Sequence, residues 1–196
     1  MQVRILTAGG ELRRGSFSDI DQSAQAALNG AKWNVDPSRM TPELMPAWTA
    51  VEFGNFAPAA TLVKRHLKSR KAATKTAATA LNDYVIEKLN AEVDRANAAE
   101  DSDDLWTAYK TLSTVTVQFK GYEISPDVKS KIAELERDES IKAELAAQKQ
   151  MTLVRRVLNS TSAAARKRAE LMLEKITNDF PGTEAATEAE TLLTPM

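Results

Sequence analysis

The sequence lacks cysteine altogether and has a single histidine, His66, among its 196 residues. The absence of cysteine excludes disulfides, thiolate catalysis and cysteine-based zinc or iron–sulfur sites in this chain. A lone histidine without carboxylates at a suitable spacing is a poor metal ligand or catalytic base. Because His66 lies among basic residues, we expect it at the surface, and we expect neither a cofactor nor an active site.

Glycine and proline are also scarce, with seven residues of each, and no apolar run approaches the roughly eighteen residues of a membrane span. Glycine loops that hold phosphate, dinucleotide fingerprints and serine-nucleophile motifs are all missing. The chain is rich instead in alanine, leucine, glutamate and lysine, which favour helices. Its formal net charge of −1 argues against a globally basic nucleic-acid binder. The composition therefore predicts a soluble, mostly helical chain.

The start of the chain has a different pattern from the rest. A β-type run begins at Val3, Gly9 and Gly10 supply a turn, and residues 11–14 can return as a partner strand. A helix with apolar residues at helical spacing can then begin at Ser18. An isolated two-stranded hairpin is marginally stable in water. This segment therefore needs a sheet to join or a surface to cover.

Three parts follow from these changes of pattern. Residues 33–40 have no hydrophobic periodicity and contain the pair Asp36-Pro37, so they are predicted to form a linker. The sequence thus divides into a β-hairpin plus helix at residues 1–32, this linker, and a helical domain at residues 41–196.

Helix boundaries are marked clearly in the helical domain. Two tripeptides combine a capping residue, a proline and an acid, and each predicts a helix start: Thr41-Pro42-Glu43 and Ser125-Pro126-Asp127. The first of these helices carries an apolar stripe that ends at Phe53. A stripe with steps of three and four predicts one long helix over about residues 72–99. The six-residue step from Leu135 to Ile141 predicts a break near residues 137–140, and the capping residues at 159–162 predict another.

Three tryptophans and a run of acids could suggest binding sites. The acids at residues 101–104 lack the glycine and the closing glutamate of a calcium loop, so helix capping is the better interpretation. Trp48 and Trp106 stand at helical spacing beside other apolar residues and are predicted to lie in the core. Trp33 is predicted to pin the first segment to the helices.

Two groups of residues carry a family resemblance. One is a glycine-led turn followed by an apolar helix face, formed by Gly54, Asn55, Phe56, Ala59 or Ala60, Val63 and Leu67; the other comprises Ala169, Leu173, Phe180, Pro181, Gly182 and Ala186. Both resemble the turn and second helix of a tetratricopeptide repeat. However, Phe119 and Phe180 lie 61 residues apart, whereas repeats of that family span about 34. The predicted fold class is therefore mostly α: an irregular tetratricopeptide-like α-hairpin array of six to seven helices after a short N-terminal β-hairpin.

A second resemblance concerns the first segment. The stretch VRILTAGGELRRGSFSDIDQSAQAAL at residues 3–28 resembles the last hairpin and C-terminal helix of a thioredoxin fold. The resemblance implies that residues 1–32 belong to such a domain in a longer bacterial protein, whose Cys-x-x-Cys pair and cis-proline would precede Met1. Any redox activity would then belong to the longer protein. The compartment stays open, because this chain has no signal-peptide core.

Two stretches are free of acidic residues, one between Glu52 and Asp83 and one at residues 145–169. Their cations form the candidate partner-facing surface: Lys64, Arg65, Lys68, Arg70, Lys71, Arg155 and Arg156. If both stretches face one way, they could bind phosphate or an acidic partner. The alternative is that they balance the acidic regions at residues 83–104 and 134–144. No aromatic residues interleave with them, so base stacking is not supported. We expect a non-catalytic scaffold with a protein or peptide partner, and not a nucleic-acid binder.

Overall fold

The structure of this chain is mostly helical, which confirms the predicted mostly-α class, but nine α-helices follow the two strands in the described residues where six to seven were predicted. The computed structural model describes residues 3–6, 12–15, 20–28, 32–159 and 162–194. Within these ranges, α-helices account for most residues, and the helix boundaries coincide closely with the capping and glycine signals in the sequence.

Two strands and a helix form the first segment. Strand β1 (Val3–Leu6) pairs antiparallel with β2 (Leu12–Gly15), and α1 (Ile20–Leu28) follows. The turn predicted at Gly9-Gly10 and the helix start predicted at Ser18 lie outside the described residues. The strand pairing is therefore seen in the described residues, whereas the connection between the strands is not.

The helical domain begins with two short 3₁₀ turns and continues as α-helices joined by short turns. In chain order these elements are the 3₁₀ turns Pro37–Arg39 and Pro42–Leu44, then α2 (Met45–Glu52), α3 (Phe56–Leu67), α4 (Ala72–Asp101), α5 (Leu105–Gln118), α6 (Pro126–Leu135), α7 (Glu139–Leu158), α8 (Ala163–Asp179) and α9 (Glu184–Leu193). The long helix predicted over about residues 72–99 and the breaks predicted near 137–140 and 159–162 are confirmed.

Side-chain caps explain most of these helix starts. A side-chain oxygen accepts a backbone N–H within the first turn in each of α5, α6, α7, α8 and α9, from Asp104, Ser125, Asp138, Ser162 and Thr183 respectively. Each bond satisfies a backbone donor that the helix itself leaves without a partner. Thr41 departs from the prediction, because it makes no side-chain cap bond and precedes a 3₁₀ turn, so that α2 begins only at Met45.

Two helices end in the same hydrogen-bonded turn but with different residues. After α2, the N–H of Asn55 donates to the carbonyl of Ala50 at 2.8 Å, and Gly54 has φ of 72°. After α4, the N–H of Asp104 donates to the carbonyl of Ala99, also at 2.8 Å, and Asp103 has φ of 63°. This left-handed conformation favours glycine, and aspartate adopts it more readily than most residues. The sequence predicted both helix ends, the first through Gly54 and the second through the stripe that stops near residue 99, but it did not predict the left-handed conformation of Asp103.

The chain forms two compact units, one from residues 1–86 and one from residues 87–196, and α4 contributes to both. In unit one, α2 packs on α3. In unit two, α7 packs on α8 and α8 on α9, while α5 packs on α6 and α7. Successive helices thus pack mainly on their neighbours in sequence.

The residues predicted as a linker lie against α2 in unit one. The indole Nε1 of Trp48 donates to the carbonyl of Val35 at 2.7 Å, and Glu52 accepts from the backbone N–H of Asn34 at 2.9 Å. The Trp33 ring meets the Trp48 ring edge-on, with centroids 5.0 Å apart. Trp48 is buried, as predicted. These contacts hold residues 33–35 against α2.

Phe53 is the exception in this unit. It is the last apolar residue of the stripe predicted for the helix at Thr41, yet its side chain is 81% exposed. Phe53 is the C-cap residue of α2, which ends at Glu52. The equivalent residue at the end of α5, Phe119, is fully buried.

The core of unit two consists of small and aliphatic side chains in two clusters. One cluster lies between α7, α8 and α9 and is formed by Ala147, Met151, Val154, Ala169, Leu173, Ile176, Ala185 and Ala189. The other lies between α4, α5 and α6 and is formed by Ala96, Ala108, Leu112, Val128 and Leu135. Alanine at these close contacts lets the helix backbones approach one another, which is consistent with the abundance of alanine in the sequence.

Candidate functional site

The five basic candidates of unit one lie around a single turn. Their side chains belong to the last turn of α3, its cap and the turn leading into α4, and all five are exposed. We call this surface the cationic turn; it comprises Lys64, Arg65, Lys68, Arg70 and Lys71. The turn between α3 and α4 thus brings together five cations that the sequence places within eight consecutive residues.

One member of the cationic turn has an acidic partner. The Nζ of Lys71 lies 3.2 Å from Glu43 Oε1, in the 3₁₀ turn before α2. The Glu43 backbone N–H and then Lys71 lower the pKa of this carboxyl. Within the described part of the chain, the other four cations form no ion pair with a carboxylate. The surface therefore keeps most of its positive charge.

Large apolar side chains are also exposed in unit one. Phe53 is 81% exposed at the end of α2, and Trp33 is 60% exposed beside Trp48. Met45, at the start of α2, is also exposed and lies two residues from Glu43, which bonds the cationic turn. Unit one therefore offers large apolar groups as well as positive charge.

The two remaining basic candidates lie in unit two, on α7. Both are exposed, but Arg155 forms a bidentate pair with Glu188 of α9, with its Nε at 3.2 Å from Oε1 and its Nη2 at 2.5 Å from Oε2. This pairing raises the pKa of Arg155. Arg155 thus fits the alternative in which cations balance acids on neighbouring helices. Arg156 forms no ion pair with a carboxylate of the described residues. That the two basic stretches share one face stays a prediction.

Trp106 belongs to a polar cluster that the sequence did not reveal. Its Nε1 donates to Glu184 Oε2, which also accepts from Lys110 Nζ at 2.6 Å. The indole stacks on the Tyr109 ring, with centroids 5.6 Å apart and planes 15° apart, and Lys110 Nζ lies 5.3 Å from the indole centroid. The prediction that Trp106 lies in the core is wrong, because the residue is only half-buried at the start of α5. Its N–H finds its acceptor at the start of α9.

A cleft of about 410 Å³ opens beside this cluster. Its deepest acid is Glu144, which is only 4% exposed and accepts the backbone N–H groups of Glu184 at 2.6 Å and Ala185 at 3.1 Å. Gln148 donates a third bond to the same carboxylate at 2.9 Å. Glu144 therefore serves the first turn of α9 as a remote cap, with the carboxylate at the positive end of that helix.

The other acids of the cleft are committed in the same way. Asp104 caps α5, and the bonded N–H of Thr107 lowers the pKa of its carboxyl. Lys110, and after it Trp106, lowers the pKa of Glu184. Asp103 stands in the left-handed turn after α4. These hydrogen bonds explain the acids of the cleft by their structural roles.

A second groove, of about 510 Å³, runs between α4, α5 and α6. Its lining includes three apolar side chains, Val93, Leu112 and Val128, and the ion pair between Lys131 and Glu100. The Glu100 carboxylate, and after it Glu134, raises the pKa of Lys131. Both sides of this pair are about one-third exposed. With Asp127 and Glu134 also in its lining, the groove has three acids and one base.

The described residues contain no group of three or more histidine, aspartate, glutamate or cysteine side chains that could hold a metal ion. His66 is half-buried near the end of α3. Among the helices that the structure describes, none combines the length and apolar character needed to cross a bilayer. No protein-family model matches the chain, and no curated protein or solved structure matches it significantly either.

Proposed function

We propose that this chain is a non-catalytic helical scaffold that binds a protein or peptide partner through unit one. The observation that carries the proposal is the exposure of two large aromatic side chains in unit one, Phe53 at the end of α2 and Trp33 in the segment that packs on α2. Large aromatic side chains at the surface are costly to leave in water and are the residues that most often anchor protein interfaces. Both positions are held by a rigid framework, because Trp48 and Glu52 tie the preceding segment to α2.

The packing of the helices supports a scaffold built from hairpins. Consecutive helices α2 and α3, α7 and α8, and α8 and α9 pack against each other. We propose that the array is tetratricopeptide-like, with units longer than those of that family. Arrays of this kind present extended surfaces to their partners.

The state of the acids in unit two also favours binding over catalysis. In the cleft beside Trp106, the described carboxylates of Asp104, Glu144 and Glu184 each accept hydrogen bonds from helix starts or from neighbouring side chains. General acid–base chemistry needs a group within reach of a substrate and free to exchange a proton. These carboxylates are occupied in holding the helices together.

Peptide selection on the full chain tests the scaffold function. A library of random peptides displayed on phage is panned on the purified chain, and selected peptides are synthesised and titrated. We expect Phe53→Ala to weaken their binding by about tenfold or more. A matched control is Leu171→Ala, an exposed apolar residue on α8 of unit two, which should leave binding unchanged. Failure to select any peptide, or equal losses in the two variants, would contradict the proposal.

A second function is favoured by the first segment. The side chains of residues 20–26 in α1 are exposed or half-buried, and Ile20 is 39% exposed. A two-stranded sheet and a helix with exposed apolar positions fit the resemblance to the end of a thioredoxin fold. We propose that the chain is the C-terminal helical extension of a thioredoxin-family disulfide oxidoreductase whose Cys-x-x-Cys lies outside it. Sequencing the reading frame upstream of Met1 tests this, and an in-frame stop codon without that motif would contradict it.

A further inference from the structure

The charge of the cationic turn has little compensation nearby. No acidic residue occurs between Glu52 and Asp83, a stretch that covers all of α3 and the start of α4. Among the described residues, Glu43 is the one carboxylate that pairs with the turn, and it contacts Lys71 alone. At unit one's surface, Lys64, Arg65, Lys68 and Arg70 therefore repel one another without an acidic partner among the described residues.

The helix that ends at the turn, α3, and the helix that begins after it, α4, affect the positive charge of the turn in opposite ways. At the end of α3 the helix dipole favours cations such as Lys64 and Arg65. At the start of α4 the dipole is positive, and the first turn of this helix has no acidic residue to offset it. Arg70 and Lys71 therefore stand where a helix normally places acids. Negative charge brought to this turn would be stabilised by side chains and helix start together.

The surroundings of the turn distinguish between classes of anionic partner. No aromatic residue occurs between Phe56 and Tyr84, so the stacking platform of single-stranded nucleic-acid binders is missing. No large apolar side chain of the described α3 or α4 residues is strongly exposed, so nothing there can insert into a lipid surface. A short acidic polypeptide needs only local positive charge, and the chain's net charge of −1 gives a long polyanion no wider attraction.

We infer that the cationic turn binds an acidic segment of a partner polypeptide. The inference rests on the proposed scaffold function and states the chemistry of its partner. Carboxylates of the segment contact Lys64, Arg65, Lys68 and Arg70, while Lys71 stays with Glu43.

Fluorescence anisotropy on the full chain tests the inference. The probe is a labelled peptide of about 14 residues with about six glutamates in a glycine–serine background, and its control replaces every glutamate by glutamine. The test variant combines Lys64→Gln, Arg65→Gln, Lys68→Gln and Arg70→Gln. The matched control removes the same number of exposed cations from unit two, through Arg156→Gln, Arg166→Gln, Lys167→Gln and Arg168→Gln. Both variants should keep the wild-type circular dichroism spectrum.

We expect the glutamate peptide to bind, the glutamine peptide not to bind, and affinity to fall as salt rises from about 50 to about 300 mM. The test variant should bind at least about tenfold more weakly, and the control variant should bind as the wild type does. Equal losses in both variants would overturn the inference. So would tighter binding of an oligouridylate of similar charge, or of phosphatidylserine vesicles, because either would identify a different class of partner.

The peptides selected by phage display separate this inference from the scaffold function. Selected peptides that are rich in glutamate and aspartate, and that lose affinity in the test variant, support both. Selected peptides without acidic enrichment support the scaffold function and overturn the inference. If no peptide is selected, both are contradicted.

Discussion

The two units of this chain carry opposite charge and use it differently. Unit one has 11 basic and seven acidic residues, whereas unit two has 15 basic and 20 acidic residues. Many acids of unit two have partners within that unit: Glu144 caps α9, Glu184 binds Lys110 and Glu188 binds Arg155. In unit one, most of the cationic turn has no such partner among the described residues. The difference shows that the charge available to a partner depends on internal pairing as well as on net charge.

The largest effect should come from removing the remote cap in unit two. Glu144→Leu leaves the backbone N–H groups of Glu184 and Ala185 buried without an acceptor, so the free energy of unfolding should fall by about 3 kcal/mol. Glu144→Gln, which keeps one acceptor oxygen, should lose less. Glu139→Ala is the control, because that carboxylate is 89% exposed and should change stability by less than about 0.5 kcal/mol. Urea unfolding followed by circular dichroism measures these differences, and a loss no larger than the control's would refute the cap.

Glu144 also shows why sequence reasoning about unit two was incomplete. It lies in the acidic region at residues 134–144, whose sequence pattern indicated only charge balance for the basic stretches, yet it recurs at helical spacing with Ile141, Ala147 and Met151, all buried. That spacing was the available signal. Its partners, the N–H groups at the start of α9, lie 40 and 41 residues away, and no local pattern connects them. By contrast, helix starts and ends depend on adjacent residues, and these were largely predicted correctly.

The basic candidate residues also differ in how far their surroundings could be predicted from the sequence. The exposure of the cationic turn follows from a run of basic residues at the end of an amphipathic helix, which the sequence contains directly. The pairing of Arg155 with Glu188 depends on α7 and α9 meeting in space, and the sequence allowed it only as a general alternative. The contact of Trp106 with Glu184 spans 78 residues, which is why a core position was predicted instead.

Acid should weaken unit two through its capping carboxylates. The bonded N–H of Thr107 lowers the pKa of Asp104, the Ser140 hydroxyl and then its N–H lower the pKa of Asp138, and Lys110 lowers the pKa of Glu184. A lowered pKa in the folded state means that the stability is fully present above the unfolded pKa of about 4 and is lost as pH falls through the folded pKa. We expect the free energy of unfolding to be flat near neutrality and to fall from about pH 4 to about pH 2. Asp104→Asn, which can still cap α5, should make this slope shallower; an unchanged slope would contradict the assignment.

The two equivalent helix ends allow a matched pair of substitutions, one in each unit. Gly54→Ala places a Cβ where no atom lies within 4 Å, so its cost is conformational, at about 1 kcal/mol. Asp103→Gly removes the same conformational penalty and should stabilise unit two by about 0.5 kcal/mol. Thermal unfolding should therefore shift in opposite directions. Shifts of the same sign would show that the turns are not equivalent.

The smallest effects should come from single cations. Arg155→Gln breaks the exposed pair with Glu188 and should cost up to about 1 kcal/mol. Lys64→Gln removes a cation without an acidic partner in the described structure, so stability should stay constant or rise slightly. The two variants are compared at low and high salt, because screening should reduce the loss in Arg155→Gln. An equal loss for Lys64→Gln would mean that the cationic turn is paired after all.

Lysine reactivity tests the central claim, that the cationic turn keeps its charge available whereas cations such as Lys131 in unit two are held in ion pairs. The chain is labelled briefly with an amine-reactive ester, and modification is quantified at each lysine by mass spectrometry, with and without the glutamate peptide. Lys131 is about one-third exposed, and Glu100 raises its pKa, so it should react slowly and be unaffected by the peptide. Lys64 and Lys68 should react faster and be protected by the peptide. Equal reactivity of Lys64 and Lys131, or protection of both alike, would contradict the account.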